Sequence, residues 1–203
     1  LYRRPFEGAS ARRYARAARP AFGDLDDRLL DALAPHLAAR DATLLEVGAG
    51  PGTFSRRAAE RYPRLRVIAI EPSRDFAPPA GIEVVHAAAE ALPLAVATVD
   101  LAICLSSIRH VRDRSAALRE LRRVVRPGGQ LVIVELDPAA SPHRIAAHAD
   151  RLRSALLRCV FGPLVVRTAP TRHAIEQLAH AAGWSTRVRR DDPVQPVYFL
   201  ELG

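Results

Sequence analysis

The most informative stretch of the chain is Leu44-Leu45-Glu46-Val47-Gly48-Ala49-Gly50-Pro51-Gly52. The apolar run from Thr43 to Val47 predicts a short strand, the glycines predict a tight turn, and the Ala-rich run from Thr53 to Tyr62 predicts a helix. Glycine allows positive backbone angles and leaves no side chain between the backbone and a ligand. The N-terminus of the following helix favours a carboxylate. The stretch therefore predicts a turn that binds a cofactor carrying an amino-acid group.

Short, almost entirely apolar runs recur along the chain, as expected for parallel strands covered by helices on both faces. Beyond the first, strands are predicted at Val67 to Ile70, Ile82 to Val85, Val99 to Cys104, Leu131 to Val134, Ser185 to Val188 and Val197 to Leu202. Asp113 is predicted to cap a helix ended by Pro127-Gly128-Gly129, and Thr171 one that ends near Gly183. This alternation predicts an α/β fold with a Rossmann-like, doubly wound sheet.

Two segments stand outside this alternation. The first 40 residues are rich in Ala and Arg, and their leucines recur with helical spacing, with Pro20 and Gly23 dividing them into two helical pieces. The segment from Asp137 to Pro170 is less regular. We expect a helical cap over residues 1–40, an acceptor-binding insertion over 137–170, and a single domain over 1–203.

An acidic residue follows the second predicted strand. Glu71 lies nineteen residues beyond Gly52, where an acid in nucleotide-binding folds accepts hydrogen bonds from two ribose hydroxyls. A dinucleotide fingerprint requires G-x-G-x-x-G, but here the third glycine falls one residue early and Thr53 occupies the final position. A nicotinamide-dependent enzyme is therefore the weaker alternative.

Several motifs occur in the order and spacing of one known family. Glu46 to Gly52 fits the pattern E/D-x-G-x-G-x-G, Ala91-Leu92-Pro93-Leu94 fits an "ALPF" segment, and Arg126-Pro127-Gly128-Gly129 fits a turn before the fifth strand. In these motifs, over roughly residues 40 to 136, the chain resembles the class I S-adenosylmethionine-dependent methyltransferases. The resemblance implies a seven-stranded, mostly parallel sheet with one antiparallel strand near the C-terminus, and S-adenosylmethionine as cofactor.

The resemblance also implies a cofactor-binding set. Gly48, Ala49 and Gly50 would approach the methionine portion, Glu71 would hold the ribose, and Glu46 would organise the loop. The family commonly has an acid on the adenine amino group where this chain has Ala88, so that contact should be absent, while the Ala89 amide can still meet adenine. The remaining predicted members of the set are Gly52, Cys104 and Leu105.

The acceptor side is predicted from two residues that the resemblance brings together. His110 follows the fourth strand at the mouth of the site and is the candidate general base, because imidazole suits proton transfer near neutral pH. In members resembling phosphoethanolamine methyltransferases, such a histidine pairs with an N-terminal tyrosine that closes over the cofactor, which here would be Tyr14. The alternative is that both residues only stabilise local structure. The neighbouring Arg109 suggests an anionic acceptor.

The expected acceptor is a small molecule enclosed between the cap and the insertion. The N/D-P-P-Y/F motif of amino-group methylators acting on DNA is replaced by Leu105-Ser106-Ser107-Ile108, so a DNA acceptor is disfavoured. An RNA methyltransferase and a non-catalytic methyltransferase-like partner subunit remain alternatives. Most of the arginines of residues 137–170 are expected to be solvent-exposed.

The composition limits which binding partners and which cellular compartment can be expected. The formal charge is +8 and all 30 basic residues are arginines, spread along the chain without interleaved aromatics, so we expect no nucleic-acid partner. No run is long and apolar enough to span a membrane or to form a signal peptide, so we expect no membrane partner and a cytoplasmic location.

Cys104 and Cys159 form no disulfide framework. The richest local set of potential metal ligands is predicted to lie on a solvated helix, and no metal is assigned: Asp137, His143, His148 and Asp150.

Overall fold

The computed structural model describes residues 6–38, 41–76 and 79–203. Within these residues the strands are β1 (Thr43–Val47), β2 (Arg66–Ile70), β3 (Glu83–Val85), β4 (Val99–Leu105), β5 (Val125–Leu136), β6 (Thr186–Asp191) and β7 (Val197–Leu202). They form one seven-stranded sheet in the order β3-β2-β1-β4-β5-β7-β6. β1 to β5 pair in parallel, and β7 runs antiparallel to both β5 and β6. The predicted fold class is confirmed.

Helices cover both faces of this sheet. They are α1 (Gly8–Arg13), α2 (Leu25–Ala32), α3 (Ala34–Leu37), α4 (Thr53–Arg61), α5 (Arg114–Val124), α6 (Pro142–Asp150), α7 (Ala155–Val160) and α8 (Arg172–Ala181). Leu44 of β1 belongs to the apolar cluster that contains the cap leucines and α4, whereas Leu45 belongs to the cluster that contains α5 and α8. Successive residues of a buried strand therefore serve opposite faces, as in a three-layer α/β architecture.

Both predicted helix caps are present. The Asp113 carboxylate accepts a hydrogen bond from the Ala116 amide at 2.9 Å, and the Thr171 hydroxyl accepts one from the Ala174 amide at 3.2 Å. Each side chain satisfies a backbone donor that the first helical turn leaves free. None of the helices within the described ranges is long and apolar enough to cross a bilayer.

The fifth strand begins earlier than predicted. β5 starts at Val125, inside the stretch that was predicted to be helical, and continues through the Pro127-Gly128-Gly129 turn that was expected to precede it. The pairing explains the difference, because Val99 pairs with Val125 and Leu101 with Gln130. The residues between these two pairs bulge out of the ladder without ending the strand.

The two outer segments are more regular than predicted. The cap breaks at Gly23, whose φ is 59°, but Pro20 lies inside a short 3₁₀ turn, Arg19–Phe22, that continues from α1 through the π-helical turn Tyr14–Ala18. The end of the predicted cap, residues 39 and 40, and its first five residues lie outside the described residues. The segment from Asp137 to Pro170 holds α6, α7 and a π-helical turn, Phe161–Val166, and is not irregular.

His148 corrects the prediction of a solvated helix. Its side chain is buried between the rings of Phe22 and Phe161, and its Nδ1 lies 2.6 Å from Oε1 of Gln195. Burial lowers the pKa of its imidazole. This contact ties α6 to the cap, because Gln195 in turn donates from Nε2 to the carbonyl of Phe22.

Candidate active site

The glycine turn after β1 is held open by its backbone angles. Gly48, Gly50 and Gly52 have φ values of 73°, 56° and 65°. The amides of Gly48 and Ala49 both donate to the carbonyl of Ile70, at 2.8 and 3.1 Å, so the turn is fixed to the end of β2. A Cβ on Gly48 would lie 2.5 Å from the Cβ of Ser107. Glycine at this position therefore allows the loop after β4 to cross the turn in close contact.

Glu46 lies beneath this turn. Its side chain is 2% exposed, and its Oε2 accepts hydrogen bonds from both the amide and the hydroxyl of Ser55 in α4. Burial raises the pKa of the Glu46 carboxyl to about 7, and the bonds from Ser55 oppose that shift. The residue joins β1 to α4 and so fixes the two ends of the glycine turn.

Glu71 is placed at the carboxyl end of β2, facing the turn. Its Oε2 accepts a hydrogen bond from the Gly50 amide at 2.7 Å, and its Oε1 accepts one from the Ser73 amide at 2.9 Å. Burial raises the pKa of its carboxyl, and these two bonds oppose the rise. Each oxygen keeps a further lone pair, so the carboxylate can accept hydroxyl donors from a ligand.

A cavity of about 570 Å³ opens above the turn and Glu71. Four aromatic rings cover its other side. Phe6 stacks on Tyr14 with a centroid distance of 4.9 Å and lies 5.0 Å from the ring of His110, and Tyr14 meets the edge of Phe76 at 6.4 Å. Burial raises the pKa of the Tyr14 phenol. The cavity thus has a polar end at Glu71 and an aromatic cover supplied partly by the cap.

The cap is fixed over the cavity by a backbone contact. The amide of Gly8, at the start of α1, donates to the Asp75 carboxylate at 2.8 Å, and Asp75 follows β2 closely. A Cβ on Gly50 would stand 3.7 Å from Tyr14. The cap therefore packs directly against the glycine turn.

Comparison with known proteins agrees with this geometry. Residues 45–133 match the family model described as a methyltransferase domain. The ubiquinone/menaquinone biosynthesis C-methyltransferase of Syntrophotalea carbinolica is 34% identical over 108 residues, which are 49% of this chain and 46% of that protein. The malonyl-[acyl-carrier protein] O-methyltransferase of Methylococcus capsulatus is 32% identical over 164 residues, 77% of this chain and 56% of that protein. These matches support a class I S-adenosylmethionine-dependent methyltransferase.

A solved structure supports the fold independently. A methyltransferase from Aquifex aeolicus that depends on S-adenosylmethionine superposes with a TM-score of 0.71 at 15% identity, covering 95% of both chains.

The chain spans about half the length of the curated relatives it matches. The cofactor that the methyltransferase-domain match implies is S-adenosylmethionine. The matched residues include the glycine turn and His110, whereas Phe6 and Tyr14 precede the methyltransferase match.

The structure brings most of the predicted methyltransferase site residues to one cavity. Its lining includes seven of them: Tyr14, Gly48, Gly50, Glu71, Ala88, Ala89 and His110. Ala49 and Gly52, which are also part of the turn, line a separate and much smaller hollow together with Glu71. Cys104 and Leu105 are buried in the two apolar clusters and do not line the cavity, and burial raises the pKa of the Cys104 thiol to about 12.

Two aromatic residues and one acid at the cavity were missed from the sequence. Phe76 could have been suspected, because it is a large apolar side chain in a loop just beyond Glu71. Phe6 carried no sequence signal, since only the fold brings it to His110. Glu90 accepts hydrogen bonds from the amides of Arg112 and Asp113 at 3.1 and 3.0 Å, and so fastens the strip from Ala88 to Glu90 to the start of α5.

Arg109 does not support the expected anionic acceptor. It is absent from the cavity lining, and its Nη2 donates to the carbonyl of Val165 at 2.7 Å. Its amide donates to the buried Glu135, whose carboxyl pKa is raised by burial, with the Arg109 charge opposing the rise. No residue of the predicted insertion, 137–170, lines the cavity either. Among the described residues, no three histidine, cysteine, aspartate or glutamate side chains are grouped as metal ligands would be.

Proposed function

We propose that this chain transfers a methyl group from S-adenosylmethionine to a small, largely apolar acceptor. The observation that carries the proposal is the cavity in which the glycine turn and Glu71 face the aromatic rings of Phe6, Tyr14 and His110. Such a cavity can hold the cofactor at one end and a small second molecule at the other.

The residues present suit this cofactor. Gly48 and Gly50 both have the positive φ that glycine adopts readily, and Gly50 places no side chain at the cavity, so the methionine portion can approach the backbone of the turn. Glu71 offers a carboxylate to the ribose hydroxyls, and the strip containing Ala88 and Ala89 lies where the adenine would be received. Because Ala88 has no acidic side chain, adenine would be held there by backbone and apolar contacts.

The cofactor supplies an electrophilic methyl group, so the protein's task is to align the acceptor and exclude water. Phe6, Tyr14 and Phe76 exclude water by packing over the cavity. His110 lies at the cavity edge against Phe6, where its imidazole can take up the proton that the acceptor releases. The cover contributes the aromatic side chains of Phe6, Tyr14 and Phe76, which favour an apolar or aromatic acceptor.

Two of the curated relatives support a small acceptor group, since one is named for ubiquinone/menaquinone biosynthesis and the other for malonyl-[acyl-carrier protein]. An RNA acceptor would need an open approach to His110, but Phe6 lies against that ring. A non-catalytic partner subunit would have no use for a cavity bounded by an open glycine turn. The small-molecule transferase is therefore the function we propose.

The test is an assay with isotopically labelled S-adenosylmethionine against separate small-molecule and RNA extracts. We expect label in an extractable small product. The variant His110→Ala should lower turnover by about 10²-fold or more with little change in cofactor affinity, because a general base contributes at least that much. His143→Ala, which alters an exposed histidine, is the matched control. Label only in RNA, or no label at all from folded protein, would refute the proposal.

A further inference from the structure

The cap and the predicted insertion share one strongly basic surface. Residues 8–23 contain four arginines and residues 151–175 contain five, and neither stretch has an aspartate or glutamate. The two stretches touch, because the Arg153 amide donates to the carbonyl of Ala17 at 3.2 Å. The sandwich of Phe22, His148 and Phe161 also fixes them together.

Five arginines of this surface are exposed and share one property. None of these five arginines forms an ion pair with another residue that the structure describes. They are Arg12, Arg13, Arg16, Arg153 and Arg158. Elsewhere the arginines often pair, as Arg57 does with Asp27 and Arg61 with Asp31. The positive charge of these five is therefore available to an external partner.

Exposed leucines accompany this charge. Leu156 in α7 is 65% exposed, and Leu164 in the following π-helical turn is 58% exposed. They are the two leucines that stand out as exposed among the residues described, and both fall in the acid-free stretch. Exposed large apolar side chains accompanied by unpaired cations are typical of surfaces that bind at a lipid interface.

We propose that this cationic and apolar surface, formed by the five unpaired arginines with Leu156 and Leu164, docks on an anionic lipid bilayer. Phosphate headgroups would meet the guanidinium groups, while the two leucines enter the acyl boundary. Nucleic acid would offer phosphates to the arginines but no apolar phase to the two exposed leucines. The contact is peripheral, since the helices described include none that could span a bilayer.

The sequence-based expectation of no membrane partner rests on the lack of a spanning segment. It does not address a surface assembled from two distant stretches. The cavity and this surface are neighbours, because Arg109, next to His110, donates to Val165 in the same π-helical turn as Leu164. Docking of the surface does not depend on the proposed methyl transfer, so each can fail without the other.

The test is flotation of the purified chain with vesicles of phosphatidylcholine alone and of phosphatidylcholine mixed in equal parts with phosphatidylglycerol. We expect binding to the mixed vesicles, weakened by high salt. Arg153→Gln with Arg158→Gln should weaken binding roughly tenfold or more, since each cation near an anionic surface contributes appreciably. Arg64→Gln with Arg119→Gln removes the same charge from other exposed positions and should change little.

A second pair of variants tests the apolar part of the contact. Leu156→Ser with Leu164→Ser should also weaken binding, whereas Val96→Ser, at a position 65% exposed at the opposite end of the strands, should not. All of these positions are exposed, so unchanged melting curves would verify folding. Three results would overturn the proposal: no binding to the mixed vesicles, equal loss with the control variants, or a dimer in light scattering that the leucine variants dissociate.

Discussion

Among single residues, Glu46 shows how the fold changes the chemistry of a side chain. The sequence places it in a glycine motif and suggests a role in organising the loop. In the structure the carboxyl is buried, and burial raises its pKa from 4.5 to about 7. The charges of Arg19 and Asp26 act on it in opposite directions, and the bonds from Ser55 lower the pKa. The folded protein therefore holds a proton at Glu46 that the unfolded chain releases at lower pH.

This shift predicts a pH dependence of stability. The contribution of Glu46 is fully present below about pH 4.5 and is lost as the pH rises through about 7. Glu46→Gln keeps an acceptor for Ser55 but cannot ionise. Relative to this variant, the wild type should lose up to about 3 kcal/mol of unfolding free energy across that interval, following about 1.36 kcal/mol for each unit of pKa shift. Urea unfolding at several pH values measures it.

The control for this measurement is Glu60→Gln, because Glu60 is an exposed carboxylate on the surface of α4. The difference in unfolding free energy between Glu60→Gln and the wild type should stay nearly constant with pH. A Glu46→Gln difference that is equally flat would show that the buried carboxyl does not retain its proton.

Among the elements, the glycine turn is constrained more tightly than its sequence pattern requires. The pattern predicted an open turn for a ligand, but the structure adds that the loop after β4 crosses it. The hydroxyl of Ser107 donates to the carbonyl of Val47 at 2.6 Å, and Ser107 leaves no room for a side chain at Gly48. No sequence signal located this contact, because its two residues lie far apart in the chain.

Gly48→Ala should therefore destabilise the protein by about 2–5 kcal/mol, because its cost combines a left-handed backbone angle with a steric overlap. The new Cβ would lie 2.5 Å from that of Ser107. Gly128→Ala is the matched control, because Gly128 has a φ of 82° but a Cβ there would meet no atom within 4 Å. This control should cost only about 1–2 kcal/mol. Thermal unfolding compares the two variants, and equal losses would contradict the proposed contact.

Across the whole molecule, the sequence predicted repeating local patterns well and long-range contacts poorly. All seven predicted strands are present, because each apolar run is bounded by turn residues. The family resemblance predicted Ala88 and Ala89 at the cofactor site, and both residues line the cavity. The aromatic cover was only partly predicted, since Phe6 reaches His110 through packing of the cap. The burial of His148 was missed for the same reason, as its partners Phe22 and Gln195 lie far from it in the chain.

The role of residues 137–170 also depends on the whole molecule. The sequence suggested an acceptor-binding insertion, yet within the described residues the cavity is covered by the cap and by loops after β2 and β4. Its helices instead pack against the cap and add Leu156 and Leu164 to the exposed surface. Only the assembled fold distinguishes these two uses of the same segment.

The most direct test of the methyltransferase assignment is calorimetric titration with S-adenosylhomocysteine, the product form of the cofactor, with NAD as the competing nucleotide. We predict saturable binding of S-adenosylhomocysteine and none of NAD. Glu71→Ala should weaken that binding by about 1–3 kcal/mol, because the ribose hydroxyls lose a charged acceptor, whereas Glu60→Ala should leave it unchanged. Tight NAD binding without a response to S-adenosylhomocysteine, or full affinity in a folded Glu71→Ala variant, would contradict the account.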